Sequence, residues 1–395
     1  MYIIKDHKIN FDDIIFKLSD ILFLLSYLLI ISAGMLSNVH AVSGYQNLME
    51  SAGNALLILL FILRCHKLPI KDMIIRVLTL IPLALSFYFS AGTEVLKLYF
   101  LVIAFQGMDF KKFVKFDLTI KVFLLLLVLC LYFAGFTDSF YMAREGGQLR
   151  SSMGFIHPNF FGAILLSICF SVYYLKFNEI NCLYYSLFIA VILIIQFFSD
   201  SRTSQYALIL LCLIHMLYTL SSKKLFSYKV VSFIFVYSFV IFLLISILLG
   251  YLYGVRYPFA LYLDALFTER IGMIYRYMAS YDITIFGNAI SFTEIRADLE
   301  MGEMVWILDN AYLRLLLRYG LAVFLVITFL VRKTLKKLIS AKEYAGVIIL
   351  FIFFSIGIVE YHFYNIVINA FILIVADLIY TRNKRISEVY PNEQH

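Results

Sequence analysis

Residues 228–252 read YKVVSFIFVYSFVIFLLISILLGYL, and Lys229 is the only charged position in the run. A helix of this length extends about 37 Å at 1.5 Å per residue, enough to cross the roughly 30 Å hydrocarbon layer of a bilayer. It is apolar on every face, so no single stripe marks it as a helix lying on a soluble core. SSKKLFSYK precedes it and a long polar stretch follows, so its two ends face different surroundings.

The rest of the chain repeats this pattern. Of its 395 residues 63% are hydrophobic and 15% charged, with a mean hydropathy of +0.89, whereas soluble domains carry about 25% charged residues. The expected fold class is an all-α integral membrane protein forming one polytopic domain over 1–395. About twelve apolar segments of helical character are expected, near 20–36, 51–64, 72–90, 92–108, 117–136, 158–177, 181–199, 203–221, 228–252, 307–331, 345–360 and 362–380.

Basic residues set the orientation, because cytoplasmic loops retain Lys and Arg. With the N-terminus inside, the inner loops are HKLPIKDMIIR, MDFKKFVKF, KFNE, SSKKLFSYK and RKTLKKLISAKE, and the tail TRNKR is also inside. The first outer loop, SNVHAVSGYQNLME, has no Lys or Arg. The first segment has small residues near Val39-His40-Ala41, as a cleavage site would, but its long mixed-charge leader argues that it is retained. Cysteines 65, 130, 169, 182 and 212 fall in segments or on the inner side, so no outward pair is placed for a disulfide. The net charge of +7 follows from the inner loops and contact with anionic lipid, not from nucleic-acid binding.

One connection is long. Residues 253–306 form an extracytoplasmic polar loop expected to contain short helices, and loops of this length usually carry function. From Pro258 to about Tyr281 apolar residues recur at helical spacing, predicting one amphipathic helix. Beyond it Asp282, Glu294, Asp298, Glu300, Glu303 and Asp309 against Arg296 make an acidic rim.

Outward loops hold Arg144, Arg150, Arg202, Arg256, Arg270, Arg276 and Arg296 and no lysine. Drawing seven arginines in a row from the chain's basic residues has odds of roughly one in a thousand, and only the guanidinium fork grips phosphate oxygens bidentately. The implied ligand is a phosphate or pyrophosphate at the outer leaflet; the structural alternative is snorkelling, or pairing with Asp200 and Glu269.

Several pieces fall on the same side in order. Arg150, Gly154, His157-Pro158-Asn159 and Gly162 begin a segment with proline in its first turn. Ser201-Arg202-Thr203, Glu269-Arg270, Phe286-Gly287-Asn288, Asp309-Asn310 with Tyr312, and Arg318-Tyr319-Gly320-Leu321 follow. Over roughly residues 90–330 this ordered set resembles the Wzy-like O-antigen and capsular polysaccharide polymerases, sisters of the O-antigen ligases.

The resemblance implies a GT-C-type glycosyltransferase of the bacterial cytoplasmic membrane, multi-pass with both termini cytoplasmic. It implies work on undecaprenyl-pyrophosphate-linked oligosaccharides with neither metal nor cofactor. Chain-length-regulator and flippase proteins are implied as partners. The resemblance makes Arg202 and Arg270 the catalytic holders of the leaving diphosphate, with Arg150 and Arg276 behind them.

Asp309 is the expected general base, or a helix N-cap. His157 contacts the diphosphate or sits at the interface, Asn159 shares that ambiguity, and Asn310 is an expected substrate contact. The ligases carry a histidine where this chain has Asp309-Asn310, which favours polymerase over ligase. Glu360 and His362 form a further candidate pair, and Glu94 with Lys97 is expected to pair along one helix. Asp298-Leu299-Glu300 is a weak metal pattern, more often a solvated face. A lipid-linked oligosaccharide flippase is the competing class, distinguished by broken helices with charges near the membrane midplane.

Overall fold

The computed structural model describes residues 11–39, 42, 44–65, 70–143, 149–290 and 308–376. The fold is all-α but for one small ribbon. Its helices are α1 (Phe11–Met35), α2 (Gln46–Cys65), α3 (Ile70–Ser90), α4 (Glu94–Phe105), α5 (Phe110–Phe133), α6 (Pro158–Lys176), α7 (Cys182–Phe198), α8 (Arg202–Leu220) and α9 (Lys229–Gly254). Two short helices follow in the long loop, α10 (Pro258–Leu266) and α11 (Arg270–Ser280). Last come α12 (Ala311–Ser340), which contains a π turn at Leu315–Tyr319, and α13 (Tyr344–Ile356).

Eight helices among the described residues are long and apolar enough to cross a membrane, and α7 and α13 are shorter apolar helices. This is a multi-pass helical membrane protein. Without water in the hydrocarbon layer every backbone N–H and C=O must be satisfied internally, which is why the long apolar runs are helical. On α7 only Phe188 and Ile195 are buried, while Leu193 and Phe197 point outward, as befits a peripheral helix in lipid. By contrast α13 buries almost its whole surface, including Phe353 and Phe354, and forms the centre of the bundle.

Two sequence expectations are corrected, and one element is new. Residues Tyr141–Ala143 and Leu149–Ser151 pair as an antiparallel ribbon that was not foreseen, with Met142 opposite Arg150. The helix expected from Pro258 to Tyr281 is broken at Phe267–Glu269, where Thr268 and Glu269 adopt φ of 53° and 63°. The segment expected at 362–380 is described to 376 and is not a continuous helix there. It consists of two 3-10 turns, His362–Tyr364 and Ala370–Val375.

Hydropathy reports burial, and that segment is indeed buried. Its backbone is satisfied by amide side chains instead of by a helix ladder: Asn369 donates to the Phe363 carbonyl at 2.6 Å and accepts from the Phe371 N–H at 3.1 Å. Irregular backbone at membrane depth is tolerated where protein surrounds it. The acidic stretch of Glu294, Arg296, Asp298, Glu300 and Glu303 lies outside the described residues, as does Arg144.

A charged network sits inside the bundle. The Lys121 ammonium is 2.9 Å from an Asp117 oxygen and donates to Ser167 Oγ at 2.8 Å, and the Tyr27 hydroxyl donates to Asp117 at 2.6 Å. Both charged groups are fully buried, and these hydrogen bonds tie α1, α5 and α6 together.

Candidate active site

The starts of α6, α8 and α11 meet at one site beside the ribbon strand that carries Arg150. The start of α6 is fixed by Pro158 in the first turn and by His157, whose Nδ1 accepts the Asn159 N–H at 3.0 Å. His157 is therefore a helix cap, and it takes one of the N–H groups that the sequence left free for an anion. The start of α8 differs: Ser201 makes no side-chain cap, and the positive end of the helix dipole lies at Arg202 and Thr203, beside the cleft.

The two starts touch because of Gly162. A Cβ there would lie 2.5 Å from Ser201 Cβ, so only glycine lets α6 and α8 approach this closely. That approach sets Asn159 beside Arg202 and Thr203 along one small cleft, closed by Leu266, Phe267 and Thr268.

A continuous set of polar contacts runs from this point. Arg150, on the ribbon, is buried; its Nε donates to the Ser199 carbonyl at 2.7 Å and its fork donates to the Asn159 side chain. Asn159 donates to Glu360 Oε1 at 3.4 Å, and Thr203 reaches the same oxygen at 3.5 Å. Arg270, the first residue of α11, lies 2.6 Å from Glu360 and 3.3 Å from Asp309, and it also donates to the Val359 carbonyl. His362 Nε2 is 3.4 Å from the second Glu360 oxygen.

The electrostatics separate the two carboxylates. Burial raises Asp309 to about 6, because the lowering effect of Arg270 is partly offset by repulsion from Glu360. Burial also pushes Glu360 upward, but Arg270 and its hydrogen bond, with His362 beside it, outweigh this and hold Glu360 below the usual carboxylate range. Burial disfavours the Arg270 charge, yet the two carboxylates hold its pKa above the ordinary arginine value. One carboxylate is thus poised to exchange a proton near neutrality while its neighbour stays ionised, the arrangement from which acid–base roles are read.

Of the three arginines Arg150, Arg202 and Arg270, Arg202 is the most open to an incoming ligand. Its side chain is 38% exposed, and its contacts are long: 4.0 Å to Asp200 and 3.5 Å to the Leu266 carbonyl. The cleft that it shares with Arg270 has a volume of about 20 Å³, room for one water. A diphosphate requires the Leu266–Thr268 turn to move.

Of the sequence-derived candidates, Arg150, Asn159, Arg202, Arg270 and Asp309 are brought together, and Glu360 joins them at the centre. Asn310 is not in the group. It caps α12 by accepting the Leu313 N–H at 2.9 Å and donates to Ser246 and to the Ile358 carbonyl, both at 2.8 Å, so its amide is fully engaged in structure. Asn310, not Asp309, is the N-cap, which frees Asp309 from that role. Arg276 lies on the exposed side of α11, six residues beyond Arg270.

Glu94 and Lys97 do not pair along their helix: Lys97 reaches Glu50 at 2.5 Å, while Glu94 meets Arg318 at 3.1 Å and accepts from the Tyr319 hydroxyl. Glu360 was the residue hardest to place from sequence, because its partners lie 201 and 90 positions away. The available signal was a buried-type carboxylate next to a histidine in an apolar surrounding.

No family model, curated protein or solved structure matches this chain.

Proposed function

We propose that the protein is a polysaccharide polymerase, a metal-independent GT-C-type glycosyltransferase with about twelve spans at the outer face of a bacterial cytoplasmic membrane. It transfers a growing glycan from undecaprenyl pyrophosphate to a lipid-linked repeat unit. The observation that carries this reading is the connected set Arg150–Asn159–Glu360–Arg270–Asp309, with Arg202 open beside it, assembled at one end of a membrane bundle.

In this reaction the acceptor hydroxyl gives its proton to Asp309 as its oxygen bonds to the anomeric carbon. The bond from that carbon to the diphosphate oxygen breaks, and its electron pair leaves with the diphosphate. Arg202 and the uncapped start of α8 stabilise the departing charge. Arg270 contributes mainly by holding Asp309 and Glu360 in place, since two carboxylates already occupy its fork.

The test is a deletion strain and a purified enzyme. The strain accumulates single repeat units on lipid, and the purified protein lengthens such units in the presence of a chelator. Long polysaccharide persisting in the deletion strain overturns the reading. The broken, buried segment that carries the two 3-10 turns favours a second reading, a lipid-linked oligosaccharide flippase. Movement of labelled lipid-linked units across proteoliposomes without any lengthening selects it over the polymerase.

A further inference from the structure

On the far side of Tyr361 and Arg314 from the Arg270 cluster lies a second cavity, of about 320 Å³, between α1, α2, α4 and the segment after α13. It lies at the low end of the range of small-molecule sites, which is roughly 300–1,000 Å³. We propose that this cavity is a saccharide-binding site and, resting on the polymerase reading above, the seat of the acceptor sugar.

Its charges argue against an anionic ligand. Of the charged groups that line it, Lys97 lies 2.5 Å from Glu50 and Arg314 3.9 Å from Glu94, so two cations are offset by two carboxylates. A diphosphate entering here meets two carboxylates. A neutral polyol does not, and it uses acceptors and donors equally.

Hydrogen-bonding capacity is left for such a ligand. Tyr364 is 6% exposed and lines the cavity, and its hydroxyl has no hydrogen-bond partner. The side-chain oxygen of Asn54, which also lines the cavity, is likewise buried without one. Both oxygens lie just beneath the cavity surface, so a ligand hydroxyl pairs with them once either side chain turns toward it, which removes the cost of leaving them unpaired. The tyrosine rings at positions 361 and 364 add flat apolar faces of the kind that pack against the C–H face of a pyranose.

Its position fits an acceptor. Tyr361 directly follows Glu360, and Arg314, whose guanidinium lies 4.3 Å from the centre of the Tyr361 ring, feels the charge of Asp309. The cavity and the arginine-lined cleft thus flank the Asp309–Arg270–Glu360 group, as a two-substrate transfer requires.

The test uses the full chain in lipid nanodiscs, with oligosaccharides released by partial acid hydrolysis of the source cell's own surface polysaccharide as the probe. Saturation-transfer NMR is expected to show binding to the unaltered protein. Tyr364→Phe, which removes only the unpartnered hydroxyl, is expected to weaken it about five- to tenfold, and Asn54→Trp, which fills the cavity, to abolish it. Absence of binding to the unaltered protein, or undiminished binding in Tyr364→Phe, overturns the proposal even if Asn54→Trp does not fold. Binding by a protein that never lengthens lipid-linked units leaves the cavity standing and removes the polymerase. Lengthening by Asn54→Trp at an unchanged KM for the acceptor does the reverse.

Discussion

Asp309 carries the sharpest residue-level consequence. Its carboxyl is held near 6 against an ordinary 3.8, so the folded state prefers it protonated. The stability that this contributes is fully present below about pH 4 and is lost as pH rises through about 6. Asp309→Asn, which fixes a neutral side chain, is therefore expected to match or exceed the unaltered protein in thermal stability above pH 6. The same substitution is expected to abolish the rise of kcat/KM with pH through about 6, which a base must show; a retained limb at that pH removes Asp309 from the role.

Arg202→Lys keeps the charge but loses the fork. It is expected to lower kcat by about a hundredfold or more, with insertion into the membrane unchanged, as measured in purified enzyme. Individual arginines were legible in the sequence because residue type is a local property. Which of them would face a ligand was not, since Arg150 spends its donors on Ser199 and Asn159 and Arg270 on two carboxylates, and those partners are set only by the tertiary fold.

Among the helices, the contact of α6 with α8 rests on one missing methyl group. Gly162→Val is expected to force the two starts apart, costing about 1–3 kcal/mol and separating Asn159 from Thr203, with activity falling more than stability. Denaturant unfolding compared with turnover checks this. The Asp117–Lys121 pair makes a different demand on α5. Lys121→Met alone leaves an uncompensated charge in the bundle and is expected to cost about 3–5 kcal/mol, while the double change with Asp117→Leu recovers most of that loss.

Long apolar runs such as α5 and α9 were readable because a bilayer permits only one backbone solution for them. The break after Leu266 and the 3-10 segment after α13 were not, because hydropathy sees side-chain burial and is blind to an asparagine that replaces a helix hydrogen bond.

Across the molecule, two motifs that looked unrelated in the sequence clasp each other. The Asn288 N–H donates to the Leu317 carbonyl at 3.0 Å, and Leu321 and Ala322 donate back to Thr284 and Ile285 at 2.9 and 3.0 Å. Gly287 and Gly320 cross at φ of +96° and +84°, and a Cβ on Gly287 would stand 1.9 Å from the Arg318 carbonyl oxygen. This clasp anchors the chain segment that follows α11, and with it the helix that begins at Arg270. Gly287→Ala is expected to release the anchor and reduce activity more than a hundredfold while the apolar spans still insert, which protease accessibility of the loop against membrane fractionation would show.

The clasp also imposes an order on biosynthesis. Residues 282–288 leave the ribosome before their partners at 317–322 exist, so the loop must wait until the helix bearing Gly320 has been made and threaded into the bilayer. A nascent chain halted just before residue 317 holds Arg150, Arg202, Arg270 and Asp309 but lacks Glu360. The charged cluster is therefore complete only after Glu360 has been added, when the helices before it are already in the membrane.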